Sequence, residues 1–150
     1  MDIQQDVVEA VVDSVSPEDV LDDLVGELKV RNYRISRINS IDNIFEREES
    51  SSFSFSFKFY KIVEFCNLNS CSELISADLL SGVFMPVRFL VFQKQEESSV
   101  HLAFLKPTVF AGLFDSKEME KIAEQIEIDM RNILDAVSYT HLTLPPNREV

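Results

Sequence analysis

Three glycines, two histidines, two cysteines and no tryptophan leave this 150-residue chain short of the residues on which most recognisable chemistry depends. So few glycines make no Gly-rich phosphate loop and no nucleophile elbow. Cys66 and Cys71, five apart, fit neither Cys-x-x-Cys redox chemistry nor the usual zinc spacing. Two cysteines make no disulfide framework and suit a reducing compartment. The acids form no Asp-x-Asp-x-Asp-Gly calcium loop, so neither metal nor cofactor is expected. Cations are scarce as well: 14 Lys and Arg against 26 Asp and Glu give a net charge of −12. Such a chain repels phosphate backbones, which excludes nucleic acid, and it is disfavoured on a phospholipid surface. There is no eighteen-residue apolar run, and Met1–Asp6 is polar with no charged-then-apolar leader. A cytoplasmic location is the expectation.

Apolar content of 45% and charged content of 27% are those of an ordinary globular domain with a real core. The pattern predicts β-α-β-β-α-β-β-α. Val7–Val15 is β-branched, with Val8, Ala10 and Val12 on one face. Ser16-Pro17-Glu18-Asp19 then starts a helix, with an N-cap, a proline at the first position and acids at the positive end of the dipole. Val20, Leu21, Leu24, Val25 and Leu28 form its apolar stripe. Asn32 suits a left-handed cap, and Tyr33–Ile41 reads as the second strand. Asp42–Ser52 reads as a loop. Phe53-Ser-Phe-Ser-Phe-Lys-Phe59 alternates as a half-buried strand, and the phase breaks near Tyr60, as at a bulge, before Lys61–Cys66. A second helix is predicted over Ser70–Ser81, with Leu74, Ile75, Leu79 and Leu80 inward and Gly82 as its stop. The third starts at Asp115-Ser116 and carries Ile122, Ile126, Met130, Ile133 and Leu134. This is α+β: an antiparallel sheet of about five strands with helices mainly on one face.

With Glu96-Glu97 at its tip, the last hairpin pairs Val91 with Leu102 and Phe89 with Phe104. On the other side it pairs Phe92 with His101, Leu90 with Ala103 and Arg88 with Leu105. Both faces are apolar, so each is expected to be covered, one by helices and the other by a partner subunit or a ligand.

Four residues are candidates for chemistry. Cys66 ends a strand just before a helix N-terminus, where a dipole favours a thiolate, but a structural cysteine looks the same in sequence. Asn67 either holds the strand-to-helix turn or lines a site beside it. Arg88 is a clamp for a carboxylate or phosphate, or the partner of one of the chain's own acids. His101 shares the Arg88 face and lacks an organised partner in sequence. Together they predict a small anionic ligand near Cys66, Asn67 and Arg88, with His101 as a further positive group.

The block Phe59–Gln93, with Cys66-Asn67 at a strand end, Gly82, Met85-Pro86 and the later Pro107, resembles the domain-of-unknown-function family 302. The resemblance covers most of residues 6–136. Members are similar in showing Cys-Asn-Pro and Pro-Cys where this chain has Cys66-Asn67-Leu68 and Pro86-Val87, so a family thiol pair would be halved here. The resemblance implies a compact, self-associating α+β domain and no reaction. Val137–Val150 resembles the translation of a sequencing-library adaptor. Setting it aside leaves 1–136 as a single domain with His101 as its one histidine. The expected function is a non-catalytic homodimeric module that binds a small ligand or a protein. The alternative is a small thiol-dependent enzyme or sensor centred on Cys66.

Overall fold

The computed structural model describes residues 2–13, 15–47 and 56–142. Its strands are β1 (Val7–Val12), β2 (Arg34–Ser40), β3 (Phe57–Cys66), β4 (Val87–Lys94) and β5 (Val100–Leu105). They make one antiparallel sheet in the order β1-β5-β4-β3-β2. β4 is therefore central, and the edges are β1 and β2. The helices are α1 (Ile3–Asp6), α2 (Pro17–Val30), α3 (Ile41–Arg47), α4 (Leu68–Ala77), α5 (Pro107–Ala111) and α6 (Lys117–Leu142). The fold is α+β with a five-stranded antiparallel sheet, as the pattern predicts.

One face of the sheet is the core. Val63 and Phe65 of β3, Phe89 and Val91 of β4, and Val100 and Leu102 of β5 are fully buried there. Each large side chain of this kind contributes about 1.5–3 kcal/mol. Phe89 stacks on Phe65 and meets Phe104 edge-on, at 5.4 Å in both cases. α2 contributes Val20, Leu24 and Leu28 at helical spacing. α6 starts with Ser116 Oγ accepting the Met119 N–H at 3.2 Å. It buries Met119, Ala123, Ile126, Met130 and Ile133 and runs unbroken past Ala136, so that fully buried Val137 belongs to the core.

The last hairpin has the register read from sequence: Leu90 opposes Ala103, Val91 opposes Leu102 and Phe92 opposes His101. Asn32 is left-handed, with φ 66°. Among the described residues no helix is long and apolar enough to cross a membrane.

Three local readings are corrected and one helix is added. The segment expected to be a loop from Asp42 begins as α3, because Asp42 anchors it to β3. Its carboxylate accepts the Tyr60 N–H at 2.9 Å and pairs with Lys61 Nζ at 3.0 Å. The remainder of that loop, residues 48–52, and residues 53–55 of the phenylalanine-alternating strand lie outside the described residues. The register shift falls between Phe57 and Phe59, next to the expected Tyr60 break. The helix expected over Ser70–Ser81 starts earlier, at Leu68, and stops at Ala77. Asp78 (φ −159°, ψ 120°) then accepts the Leu80 N–H and caps a 3-10 turn, Leu79–Phe84. That turn swings Leu79 and Leu80 out to 82% and 70% exposure, where helical periodicity had placed them inward. After β5, where the sequence reading assigned no element, the chain forms α5, with Pro107 in its first turn and Phe110 and Ala111 buried.

Candidate functional site

Strand register places three rows of side chains on the sheet face turned away from the core. The first is Val7, Leu105, Arg88, Glu64 and Arg37; the second is Glu9, Ala103, Leu90, Ile62 and Asn39; the third is Val11, His101, Phe92 and Tyr60. The middle is apolar, and Leu90, Phe92, Ile62, Tyr60 and Leu105 are each only half-buried. The described helices α2, α4, α5 and α6 give their buried residues to the opposite side. In a chain of net charge −12 this face is balanced, with Glu9 and Glu64 against Arg37 and Arg88. The extra greasiness of both hairpin faces is thus explained on one side by helices, and on the other side α2, α4, α5 and α6 give no cover.

Polar groups on this face are mostly tied to one another. Arg88 lies 3.5 Å from Glu64, its cross-strand neighbour. His101 is 8% exposed. One ring nitrogen meets Glu9 at 2.7 Å, the other meets Glu97 at 3.2 Å, and the ring lies flat on Phe92 at 4.4 Å. Phe92 in turn stacks on Tyr60 at 5.9 Å. An aromatic line crosses three strands and ends on a carboxylate at the β1 edge.

The four residues singled out from sequence fall in three places. Cys66 and Cys71 are joined in a disulfide, Cα–Cα 6.4 Å, which ties the end of β3 to the first turn of α4. The expectation of two separate thiols is corrected: spacing gave no hint because the bond bridges two element ends, neither a redox turn nor a metal knuckle. Asn67 is the N-cap of α4, its side-chain oxygen accepting the N–H groups of Asn69 and Ser70 at 3.0 and 3.2 Å. It fills the donor cradle that an anion would otherwise use. Beside it, Asn32, Arg34, Asn67, Leu68 and Asn69 line a polar cavity of about 330 Å³. Arg88 borders a separate small cavity of about 90 Å³ with Phe84, Pro86, Leu105 and Phe110. His101 stands four residues along the hairpin from the Arg88 position, about 13 Å away at strand spacing. The structure therefore brings Cys66 next to Asn67, supplies Arg34 as the cation beside that pair, and keeps Arg88 and His101 apart.

Arg34 was missed, and a signal for it exists. Leu28–Ile41 contains no acid and four cations, Lys29, Arg31, Arg34 and Arg37. Averaging charge over the whole chain hides this run. It forms the end of α2 and the β2 edge. Arg31 is paired with Glu27. Among the described residues no grouping of His, Cys, Asp and Glu is placed to hold a metal ion.

Deeper in, Tyr33 donates its hydroxyl to Asp129 at 2.7 Å, joining the start of β2 to α6. Burial, followed by the hydrogen bond and negative charge of Asp129, holds its phenol well above the ordinary tyrosine range.

No curated protein matches this chain. The fold is similar to that in the crystal structure of an uncharacterized conserved DUF302 protein from Bacillus stearothermophilus. The TM-score is 0.75 and identity 23%, over 86% of this chain and 95% of that one. The family model of DUF302, domain of unknown function, matches residues 8–137, a span that runs from β1 to the buried Val137. The chain belongs to the DUF302 family.

Proposed function

We propose that this chain is a non-catalytic binding module that acts as a homodimer, with the open sheet face of one copy laid on that of another. The observation that carries this is the face itself: an apolar middle built on Leu90, Ile62 and Phe92, with two acids and two bases that cancel. Strands spaced about 4.8 Å and about 20 Å long give five strands a face of roughly 500 Å² in projection. The apolar middle of such a face falls within the size of the largest patches on monomers, which are often interaction sites. Two sheets packed face to face interdigitate such residues about 10 Å apart. Elsewhere two copies of an acidic chain repel, whereas here Glu9 at one edge and Arg37 at the other offer opposite charges to a symmetric partner. The commitment of Arg88 to Glu64, and of His101 to Glu9 and Glu97, supports binding over catalysis.

Concentration dependence of thermal unfolding tests this. A dimer is stabilised by mass action, so its melting temperature rises with protein concentration. Leu90→Glu, which buries a charge at the centre of the interface, should abolish that rise. A melting temperature independent of concentration in the unaltered chain would sink the proposal.

The Cys66–Cys71 bond favours a second reading, a thiol-based sensor in which a dithiol reductant frees the first turn of α4. Iodoacetamide labelling separates the two. Labelling that appears only after reduction, together with a change in ligand or subunit affinity, supports the sensor. Labelling without any such change leaves the bond as a structural staple.

A further inference from the structure

The groove lies between α2 and the β2 edge, with Ile35 and Ile38 on the helix side of the sheet and Arg34, opposite Cys66, at the edge itself. It measures about 470 Å³ and is lined by Val25, Lys29, Tyr33, Arg34, Ile35 and Ile38. Its floor is apolar: Ile35 and Ile38 pair with Phe65 and Val63, which belong to the core side, and Ile38 is still 39% exposed because β2 outruns the helix. Tyr33 is buried at its edge, with its ring against Phe65 and its hydroxyl held by Asp129. The polar lining consists of two cations. Lys29 comes from the last turn of α2 and Arg34 from the first position of β2, and neither is paired with a carboxylate in the described structure, whereas the neighbouring Arg31 is paired with Glu27.

We propose that this groove binds an amphiphilic carboxylate, an apolar tail lying along Val25, Ile35 and Ile38 with its carboxylate between Lys29 and Arg34. An apolar cleft of several hundred cubic ångströms with a few convergent polar groups is the usual form of a small-molecule site. The guanidinium offers two parallel donors to one carboxylate, and the ammonium adds a point charge from the other wall. Charge selects the class. In a chain of net charge −12 the groove sits on an acid-free run with four cations, so a neutral amphiphile gains only the tail and a cationic one is repelled. The negative end of α2 opposes an anion, but two of its last carbonyls are already occupied, Leu28 O by the Tyr33 N–H at 3.0 Å and Lys29 O by the Asn32 N–H at 3.1 Å, and Lys29 offsets the dipole from the last turn.

This rests on the binding-module reading and names its ligand, but it is independent of the dimer. The test is calorimetric titration of the full chain with decanoate below its micelle-forming concentration, with decanol as the neutral control. Saturable binding of decanoate is expected, weakened about fivefold or more by Lys29→Gln and by Arg34→Gln, with Arg34→Lys between them. Decanol should bind all of them alike, and added salt should weaken only decanoate. Both substituted side chains are exposed, so the variants should fold, and circular dichroism checks that. Absence of saturation, equal binding by the double variant, or methyl shifts that spare Ile35 and Ile38 would overturn the proposal. Repeating the titration on Leu90→Glu keeps the outcomes separate: unchanged affinity in that variant leaves the groove standing whatever the oligomeric state, and failure of decanoate on a proven dimer removes only the groove.

Discussion

The ring of His101 lies on the ring of Phe92 with centroids 4.4 Å apart and planes 7° from parallel. The two residues are direct cross-strand partners near the turn of the hairpin, so β4 and β5 are pinned by side chains as well as by backbone. Glu9 and Glu97 hold the other edges of the imidazole, reaching it from β1 and from the turn.

That stack should be measurable as a coupling. A double-mutant cycle of His101→Ala and Phe92→Ala in urea unfolding is expected to give an interaction of about 1 kcal/mol, the usual size for an aromatic pair. An additive pair would mean that the rings are only neighbours. His101→Ala alone should cost about 2 kcal/mol, since it also strands the carboxylates of Glu9 and Glu97.

Tyr33 supplies a pH dependence whose sign follows from its raised pKa. In the unfolded chain the phenol loses its proton near pH 10. In the folded chain it keeps the proton to higher pH. The stabilisation is therefore complete below about pH 10 and declines as pH rises beyond it, because the unfolded state releases its proton first. Tyr33→Phe should flatten that alkaline decline while costing about 1 kcal/mol at neutral pH through the lost bond to Asp129. Chemical denaturation across pH 8–11 checks both.

Among the described residues Val137 is the last fully buried one on α6. Its side chain is fully buried, so Val137→Ala should lower stability by about 1–3 kcal/mol. A chain cut after Ala136 should lose at least as much. Unchanged stability in both would mean that the last turns of α6 are dispensable.

Much of this fold can be read from sequence because its signals are local. The hairpin register follows from alternation and a turn, and Ser16-Pro17 and Ser116 announce their helices. What escaped is set by distant partners. Nothing near Ile41–Arg47 declares a helix, because its anchor is the bonding of Asp42 to Tyr60 and Lys61 on β3. Leu79 and Leu80 fit a helical stripe, yet Asp78 competes for the backbone and turns them outward. In the candidate site, Asn67 could be placed at a helix start from sequence, but whether its side chain or a ligand fills the cap depends on rotamer. The pairing of Arg88 with Glu64 depends on the β3–β4 register, which alternation interrupted by a bulge does not fix.

Asn67 tests that local reading. Asn67→Ala removes the acceptor for the Asn69 and Ser70 N–H groups and should cost about 1 kcal/mol. Asn67→Asp should retain most of it. If Asn67→Ala is neutral, the disulfide alone secures the start of α4.

The dimer is tested most directly by the mass of the unaltered chain in solution, from light scattering at tens of micromolar. Twice the 17.2 kDa chain mass is expected, falling to the single-chain value for Leu90→Glu. A single-chain mass for the unaltered protein at that concentration would contradict it.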